Sequence, residues 1–134
     1  MRVLIVGGVA GGMSAATRLR RLDEEMEIVV IEKSGFVSYA NCGLPYFVGG
    51  VIEEESQLLL QTPESLHARF RLDVRVHSEV IGIDSHAKTV EILDAVSQQK
   101  YKLEYDKLIM SPGAAPVVPQ IAGIERAFTL RTVE

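Results

Sequence analysis

Cys42, the only cysteine of the 134-residue chain, is the residue whose type and setting most directly indicate chemistry. It lies within residues 38–46, Ser-Tyr-Ala-Asn-Cys-Gly-Leu-Pro-Tyr. A cysteine in a folded domain is most often buried and inert, but the small polar neighbours Ser38 and Asn41 favour an accessible thiol. Because no second cysteine can form an internal disulfide, the oxidised form must be a sulfenic acid or a mixed disulfide with a small thiol. Cys42 is therefore the candidate redox nucleophile.

A second group, residues 7–12 (Gly-Gly-Val-Ala-Gly-Gly), has the composition of a dinucleotide-binding turn. Such a turn must be tight, must let a pyrophosphate approach backbone N–H groups, and must open a helix whose positive end faces that charge. We expect Gly7 to form the turn and the last glycine to allow close helix–strand packing. Val9 replaces the middle glycine of the usual pattern, and we expect Gly8 and Gly11 to restore the missing clearance.

Glu32 lies twenty residues after Gly12, at the end of a second apolar run. A carboxylate at that distance from a glycine turn can accept hydrogen bonds from both hydroxyls of an adenosine ribose. The alternative interpretation is an ordinary exposed charge. The glycine turn follows one apolar run and opens a helical pattern, so its context favours a dinucleotide site over a turn without a ligand.

A strand–helix–strand unit must position these groups. Residues 2–6 and 27–31 are short β-branched runs typical of buried parallel strands, and residues 11–22 have helical periodicity. These about thirty residues have the size of one βαβ unit.

The remaining pattern predicts two more helices and several strands. Residues 42–48 are expected to form a short helix capped by Asn41, whose positive end would favour the thiolate of Cys42. Thr62 and Pro63 predict the start of a helix that continues to Phe70. The predicted later strands span residues 73–77, 80–84, 89–93, 101–105 and 108–110.

Composition and charge limit the possible functions. A net charge of −4 argues against a general nucleic-acid partner, which needs a basic face. No apolar run reaches the roughly 18–20 residues of a membrane span. His67, His77 and His86 show no paired ligand spacing, so no metal site is expected. We expect a cytoplasmic protein with a reactive rather than a structural thiol.

The glycine turn, the Ile-Glu-Lys segment at residues 31–33 and the segment at residues 38–46 resemble one enzyme family. It is the single-cysteine class of FAD-dependent pyridine nucleotide–disulfide oxidoreductases, which includes CoA-disulfide reductases, persulfide reductases, NADH oxidases and NADH peroxidases. The Asn-Cys-Gly-Leu-Pro-Tyr form is most similar to the CoA-disulfide and CoA-persulfide reductase branch. Tyr39 stands where many members have phenylalanine.

This resemblance implies a role for each matching residue. Cys42 would be the catalytic nucleophile, alternating between a thiolate and a mixed disulfide with coenzyme A. The residues implied for the thiol and CoA site are Ser14, Arg18, Arg21, Ser38 and Asn41. Those implied for the FAD site are Gly7, Gly8, Val9, Ala10, Gly11, Gly12, Glu32, Lys33, Val80, Ser111, Pro112, Gly113 and Arg131. A solvated helix end is an equally good interpretation of Arg18, Arg20 and Arg21.

The resemblance also implies an α/β fold: a Rossmann-like FAD/NAD(P)-binding fold with a parallel sheet and a small antiparallel β-meander. Residues 1–134 are expected to be the N-terminal part of the FAD-binding domain, so the domain is incomplete. The NAD(P)H and dimerisation domains would lie elsewhere in a longer, homodimeric enzyme. This fragment alone is expected to be inactive and prone to self-association through an unpaired sheet edge.

Three functions remain open at this point. The first is reduction of a small disulfide or persulfide, such as CoA disulfide or CoA persulfide, with NADH or NADPH as the hydride donor. The second is an NADH oxidase or peroxidase in which Cys42 forms a sulfenic acid. The third is a non-catalytic nucleotide- or CoA-binding module.

Overall fold

The computed structural model describes residues 1–133 and contains two β-sheets and three α-helices. The strands are β1 (Arg2–Val6), β2 (Glu27–Ile31), β3 (Asp73–Arg75), β4 (Ser78–Asp84), β5 (Thr89–Asp94), β6 (Lys100–Glu104) and β7 (Lys107–Met110). The helices are α1 (Ala10–Leu22), α2 (Leu44–Val48) and α3 (Pro63–Phe70). Short 3-10 turns cover Asn41–Gly43, Glu55–Gln57 and Ile124–Arg126.

Four strands form a parallel sheet in the order β3-β2-β1-β7. In register, Leu4 of β1 lies between Val29 of β2 and Leu108 of β7. The carboxyl ends of β1, β2 and β7 therefore meet at one edge, from which the glycine turn, Glu32 and Ser111 follow. In open α/β sheets this edge is where ligands bind.

Strands β4, β5 and β6 form an antiparallel sheet, called the meander below. It covers one face of the parallel sheet, while α1 and α3 cover the other. Val90 and Ile92 of the meander pack with Leu4, Val29 and Ile31 of the parallel sheet. On the helical side, the buried core contains Val3, Ile5, Met13, Ala16, Met26, Ile28, Val30, Val37, Leu66 and Leu72. The predicted combination of a parallel sheet and a β-meander is confirmed.

The helix α3 begins as predicted. The Thr62 side chain accepts a hydrogen bond from the Ser65 N–H, and the Ser65 hydroxyl accepts one from the Thr62 N–H, which completes a capping box. Pro63 lies in the first turn, where a missing N–H costs little.

The region around the cysteine differs from the prediction of one capped helix. Cys42 lies inside the 3-10 turn, and α2 starts only at Leu44. Asn41 belongs to that turn and is not a helix cap, because Ala40 and Gly43 occupy the cap positions and neither helical element has a side-chain cap hydrogen bond. The predicted helix over residues 42–48 is therefore shorter than expected, and its N-terminus lies two residues after Cys42.

Residues after β7 are largely irregular and exposed. Their exposed apolar side chains include Val117, Val118, Ile121, Phe128 and Leu130. Within residues 1–133, no helix has both the length and the apolar character needed to cross a membrane.

Candidate functional site

A cavity of about 590 Å³ opens at the carboxyl edge of the parallel sheet. That volume lies within the usual range for sites that bind small molecules and cofactors. Five segments of the chain line it, and the lining residues are Gly7, Val9, Ala10, Gly11, Glu32, Lys33, Ser34, Tyr39, Asn41, Ser111, Pro112, Gly113, Ala114, Arg131 and Thr132. The topology thus brings the glycine turn, the end of β2 and the segment after β7 around one space.

The glycines of the first turn have different neighbours. Gly7 has a φ of +98°, and a Cβ built on it would lie 2.0 Å from the Ser111 carbonyl oxygen. A Cβ on Gly12 would lie 1.8 Å from the Gly7 carbonyl oxygen. Neither position can accept a side chain without displacing backbone, so both glycines are required by packing.

A side chain built on Gly8 and one built on Gly11 would meet different parts of the protein. Gly11 lines the cavity, and a Cβ there would lie 3.2 Å from the Ser111 hydroxyl oxygen. Gly8 is buried outside the cavity lining, and a Cβ on it would lie 2.8 Å from Cγ1 of Val37. Only Gly11 therefore supplies clearance on the cavity side, where Val9 has replaced the middle glycine.

The N-terminus of α1 lies at the same space, since Val9, Ala10 and Gly11 line the cavity. Its first turn, Ala10-Gly11-Gly12-Met13, is uncharged, and Val9 at the cap position provides no side-chain hydrogen bond. The first N–H groups of a helix lack intrahelical acceptors and carry the positive end of the dipole. This arrangement favours an anionic group such as a pyrophosphate.

The Glu32 carboxylate is nearly buried, with 9% of the residue exposed. Its Oε2 accepts a hydrogen bond of 2.7 Å from the Gly8 N–H, and its Oε1 accepts one of 2.9 Å from the Ser34 N–H. The interpretation of Glu32 as an ordinary exposed charge is therefore wrong. Each carboxylate oxygen keeps a further lone pair for a hydroxyl donor on the cavity side.

Lys33 lies between this cavity and a neighbouring one of about 150 Å³. Its Nζ lies 3.2 Å from Oε1 of Glu79 on β4, and both side chains are substantially exposed. Val80 lines the smaller cavity together with Glu32 and Lys33, and is absent from the lining of the larger one. The meander thus supplies one wall of the space beside Glu32.

The second turn, at residues 111–113, closes the other side of the cavity. The Ser111 N–H donates to the Val6 carbonyl over 2.7 Å and so continues the pairing of β7 with β1. Gly113 has a φ of +74°, and Nη2 of Arg131 lies 2.9 Å from where its Cβ would be. Nε of Arg131 donates to the Ala114 carbonyl, which brings a cation to the cavity rim.

Cys42 is exposed and follows directly after Asn41, which lines the cavity. The chain before it is anchored on both sides. The Ser38 N–H donates to the Gly8 carbonyl over 2.8 Å, and the Ala40 N–H donates to the Leu58 carbonyl over 2.8 Å. Ser38 has a φ of +51°, a left-handed conformation that is uncommon for a residue with a side chain and costs about 1–3 kcal/mol. The contacts that hold this conformation place the thiol beside the cavity.

The arginines of α1 divide into two groups. Arg18 and Arg21, like Ser14, are exposed and lie outside the cavity lining. Arg20 is buried and donates hydrogen bonds to the carbonyls of Asp23, Glu24, Phe70 and Arg71. The interpretation as a solvated helix end is therefore wrong for Arg20, because this side chain joins α1 to the end of α3.

Sequence reasoning did not select Ser34, Tyr39, Ala114 or Thr132 as lining residues. Tyr39 was considered as packing, and it is both 7% exposed and part of the cavity wall. The signal available for these positions was adjacency, since each lies within two residues of a chosen one. Within the described chain, no group of three or more histidine, cysteine or acidic residues could hold a metal ion.

The residues of the cavity fit the adenosine and pyrophosphate part of FAD. Gly11 has no side chain to narrow the space between the two turns, where a Cβ would approach the Ser111 hydroxyl. The N-terminal residues of α1, the Glu32 carboxylate and the rim residue Arg131 converge on that space, which is the arrangement of a dinucleotide site. Bound FAD would contribute electron transfer between a nicotinamide and a disulfide.

Comparison with known protein families gives a match over the whole chain. The model of the family described as pyridine nucleotide-disulphide oxidoreductase matches residues 1–134. The coenzyme A disulfide reductase of Staphylococcus aureus strain JH9 is 40% identical over 135 residues. That alignment covers 99% of this chain and 30% of the relative, so the chain spans less than a third of the relative's length.

Solved structures give the same result at the level of the fold. The reduced Bacillus anthracis CoADR-RHD is 53% identical with a TM-score of 0.89, covering 95% of this chain and 23% of that one. The NAD-dependent persulfide reductase of A. fulgidus is 37% identical with a TM-score of 0.85, covering 93% and 23%. The water-forming NADH oxidase of Lactobacillus brevis is 30% identical with a TM-score of 0.84, covering 93% and 28%.

Proposed function

The chain belongs to the pyridine nucleotide-disulphide oxidoreductase family, and from this premise we propose that it forms the flavin and thiol half-site of a disulfide or persulfide reductase. CoA disulfide or CoA persulfide is the proposed substrate. One observation carries the proposal: the single, exposed Cys42 follows a residue of the dinucleotide cavity wall. A thiol that accepts electrons from a bound cofactor must lie beside it.

The relatives support the choice of substrate. The two proteins named for CoA disulfide reduction or as CoADR-RHD are 40% and 53% identical, and the persulfide reductase is 37% identical. The NADH oxidase is 30% identical. An oxidase with a cysteine sulfenic acid is therefore the second candidate, and a binding module without activity is the third.

In the proposed reaction, the Cys42 thiolate attacks one sulfur of a CoA disulfide. A new sulfur–sulfur bond forms between Cys42 and one CoA, and the other CoA leaves as a thiolate, which takes up a proton. Two electrons and one proton then cleave the mixed disulfide, which releases the second CoA thiol and restores the Cys42 thiolate. NAD(P)H is the proposed source of these electrons.

The chain's own residues perform the binding steps of this proposal. The N–H groups at the start of α1 would hold the pyrophosphate, Glu32 would accept hydrogen bonds from the ribose, and Arg131 would approach the flavin. Lys33 and Val80 border the adenine, and residues 111–113 form the second wall. Ser38 and Asn41 hold the substrate thiol near Cys42, and Ser14, Arg18 and Arg21 meet the CoA nucleotide.

We place residues 1–134 at the N-terminal part of an FAD-binding domain. The relatives extend to more than three times this length, and the hydride-donor site and a dimer interface are proposed for the part that this chain does not match. Measured alone, the chain is expected to bind FAD weakly and to lack NAD(P)H-dependent turnover.

Intact mass spectrometry tests the proposed thiol chemistry. We expect incubation with CoA disulfide to add one CoA to the wild-type chain, and dithiothreitol to remove it. The Cys42→Ser variant should gain no mass, because it removes the chain's only thiol.

The alternatives give other results in the same experiment. A gain of one oxygen after peroxide, with no CoA adduct, would favour the oxidase reaction. FAD binding by equilibrium titration, with a thiol that forms no adduct with either reagent, would favour the non-catalytic binding module. Absence of both FAD binding and CoA adduct would contradict the proposed half-site.

A further inference from the structure

We propose that Glu32 is a positioning residue for the thiol loop, defined as residues 34–42, in addition to any contact with a nucleotide. Its carboxylate joins the start of that loop to the glycine turn. The functional meaning of this connection rests on the proposed role of Cys42, but the connection itself can be measured without flavin or substrate.

The carboxylate bridges two separate parts of the chain. Oε2 accepts from the N–H of Gly8, in the glycine turn, over 2.7 Å. Oε1 accepts from the N–H of Ser34, the first residue of the thiol loop, over 2.9 Å. The bond to Gly8 spans 24 positions of the chain and joins the glycine turn to the end of β2, whereas the bond to Ser34 spans two positions and fixes the start of the thiol loop.

Gly8 is the meeting point of the two segments. Its N–H donates to Glu32, and its carbonyl accepts from the Ser38 N–H over 2.8 Å. Its missing side chain lets Val37, which is 2% exposed, approach the turn. One backbone polar group of Gly8 thus bonds Glu32 and the other bonds the thiol loop.

The connection continues from Ser38 to the thiol. The left-handed Ser38 redirects the chain, and the Ala40 N–H then donates to the Leu58 carbonyl. The Gly43 N–H donates to the Ala40 carbonyl over 2.8 Å, which closes the turn that holds Cys42. Anchors at Ser34, Ser38 and Ala40 therefore determine where the thiol lies.

A carboxylate is the group that suits this position, because it accepts on both oxygens and donates on neither. In Glu32→Gln, one oxygen is replaced by an NH2 group that faces a backbone N–H. Either the Gly8 N–H or the Ser34 N–H then loses its acceptor. The backbone at that residue must shift, since buried N–H groups require acceptors. The matched control is Glu79→Gln, the same chemical change on a nearby carboxylate whose ion-pair partner is the exposed Lys33.

The test compares these variants with the wild-type chain in the absence of FAD. We expect Glu32→Gln to speed amide hydrogen exchange at Ser34 and Ser38 by about fivefold, the size of one lost hydrogen bond. The ratio of the alkylation rate constants of Cys42 by a bulky maleimide and by iodoacetamide should rise, because the bulky reagent needs the loop to move. In Glu79→Gln, both quantities should match those of the wild type.

A purely structural role would lower the global stability of Glu32→Gln without changing the reagent ratio under native conditions, and that outcome would overturn the proposal. If Glu32→Gln does not fold, amide hydrogen exchange in the wild-type chain tests the proposal instead. Amides of Gly8, Ser34 and Ser38 that exchange as fast as an unstructured chain would also overturn it. FAD titration of the same samples separates the two proposals, because a chain that binds no FAD but keeps these protections contradicts only the proposed function.

Discussion

Each glycine of the first turn makes room for a different neighbouring group. Gly7 and Gly12 each leave room for a backbone carbonyl, Gly11 leaves room in the cavity, and Gly8 leaves room for Val37. A bare glycine pattern cannot separate these roles, because the neighbour that each missing Cβ would meet belongs to another part of the chain.

Substitution of Gly12 by alanine should destabilise the fold. Alanine gains about 1 kcal/mol of helix propensity, but its Cβ would lie 1.8 Å from the Gly7 carbonyl oxygen, and such overpacking costs typically about 1–3 kcal/mol or more. We therefore expect Gly12→Ala to lower the free energy of unfolding, measured by urea denaturation.

Gly11→Ala is the matched control, because it lies one residue earlier in the same helix and its Cβ meets only the Ser111 side chain, at 3.2 Å or more. It should keep the wild-type stability within about 0.5 kcal/mol or raise it slightly. Equal destabilisation by both substitutions would show that helix position rather than the Gly7 contact decides the cost.

At the scale of elements, Arg20 holds α1 against α3. Its guanidinium donates to four carbonyls at the ends of these helices, where carbonyls have no intrahelical partner. We expect Arg20→Met to lower the free energy of unfolding by about 1–3 kcal/mol, because four partly buried hydrogen bonds at the ends of the two helices are lost.

The control is Arg18→Met, on an exposed position of the same helix, which should change the stability by no more than about 0.5 kcal/mol. Urea denaturation of both variants measures the difference. A loss in Arg18→Met as large as that in Arg20→Met would contradict the assignment of Arg20 as the connection between the helices.

The turn between β5 and β6 introduces a pH-dependent contribution to stability. Oδ1 of Asp94 accepts hydrogen bonds from the N–H groups of Ser97 and Val96, and these bonds lower the pKa of Asp94 below its ordinary value of 3.8. A carboxyl group whose pKa is lower in the folded state stabilises the fold above its unfolded pKa. That stabilisation is lost as the pH falls through the folded value.

Asp94→Asn should therefore lower the thermal unfolding midpoint at neutral pH. The gap between variant and wild type should shrink as the pH is lowered through and below the ordinary value of 3.8. Circular dichroism melting curves across that range measure it. A gap that stays constant in acid would show that the ionised form of Asp94 makes no special contribution.

The whole molecule has three layers, with helices on one face of the parallel sheet and the meander on the other. The meander lines the smaller cavity beside Glu32 through Glu79 and Val80, so its attachment affects the site as well as the fold. Ile92 and Val90 form that attachment and are fully buried against the parallel sheet.

Ile92→Ala should lower the free energy of unfolding by about 2–5 kcal/mol, the usual cost of removing a buried isoleucine side chain. Ile83→Ala, on β4 and 45% exposed, is the control and should cost much less. Urea denaturation compares the two, and equal costs would contradict the buried contact between the two sheets.

Local sequence patterns determined most of the secondary structure and the main candidate site residues. The βαβ unit, the capped helix α3 and the pairing of β4 with β5 follow from hydrophobic period and capping residues, which act over a few neighbouring positions. The glycine turn, Glu32 and Cys42 were recognised from residue type and spacing. Family membership confirms the resemblance to pyridine nucleotide–disulfide oxidoreductases.

Only the tertiary structure decided how these parts meet. Parallel pairing places the ends of β1, β2 and β7 at one edge, and so brings Ser111 and Arg131 to a turn a hundred residues earlier in the chain. The hydrogen bonds of Arg20 to the end of α3, the close approach of Val37 to Gly8 and the bond from the Gly8 N–H to the Glu32 carboxylate depend on contacts between distant segments. Sequence spacing carries local preferences, whereas these contacts arise from the packing of separate elements, which local patterns do not encode.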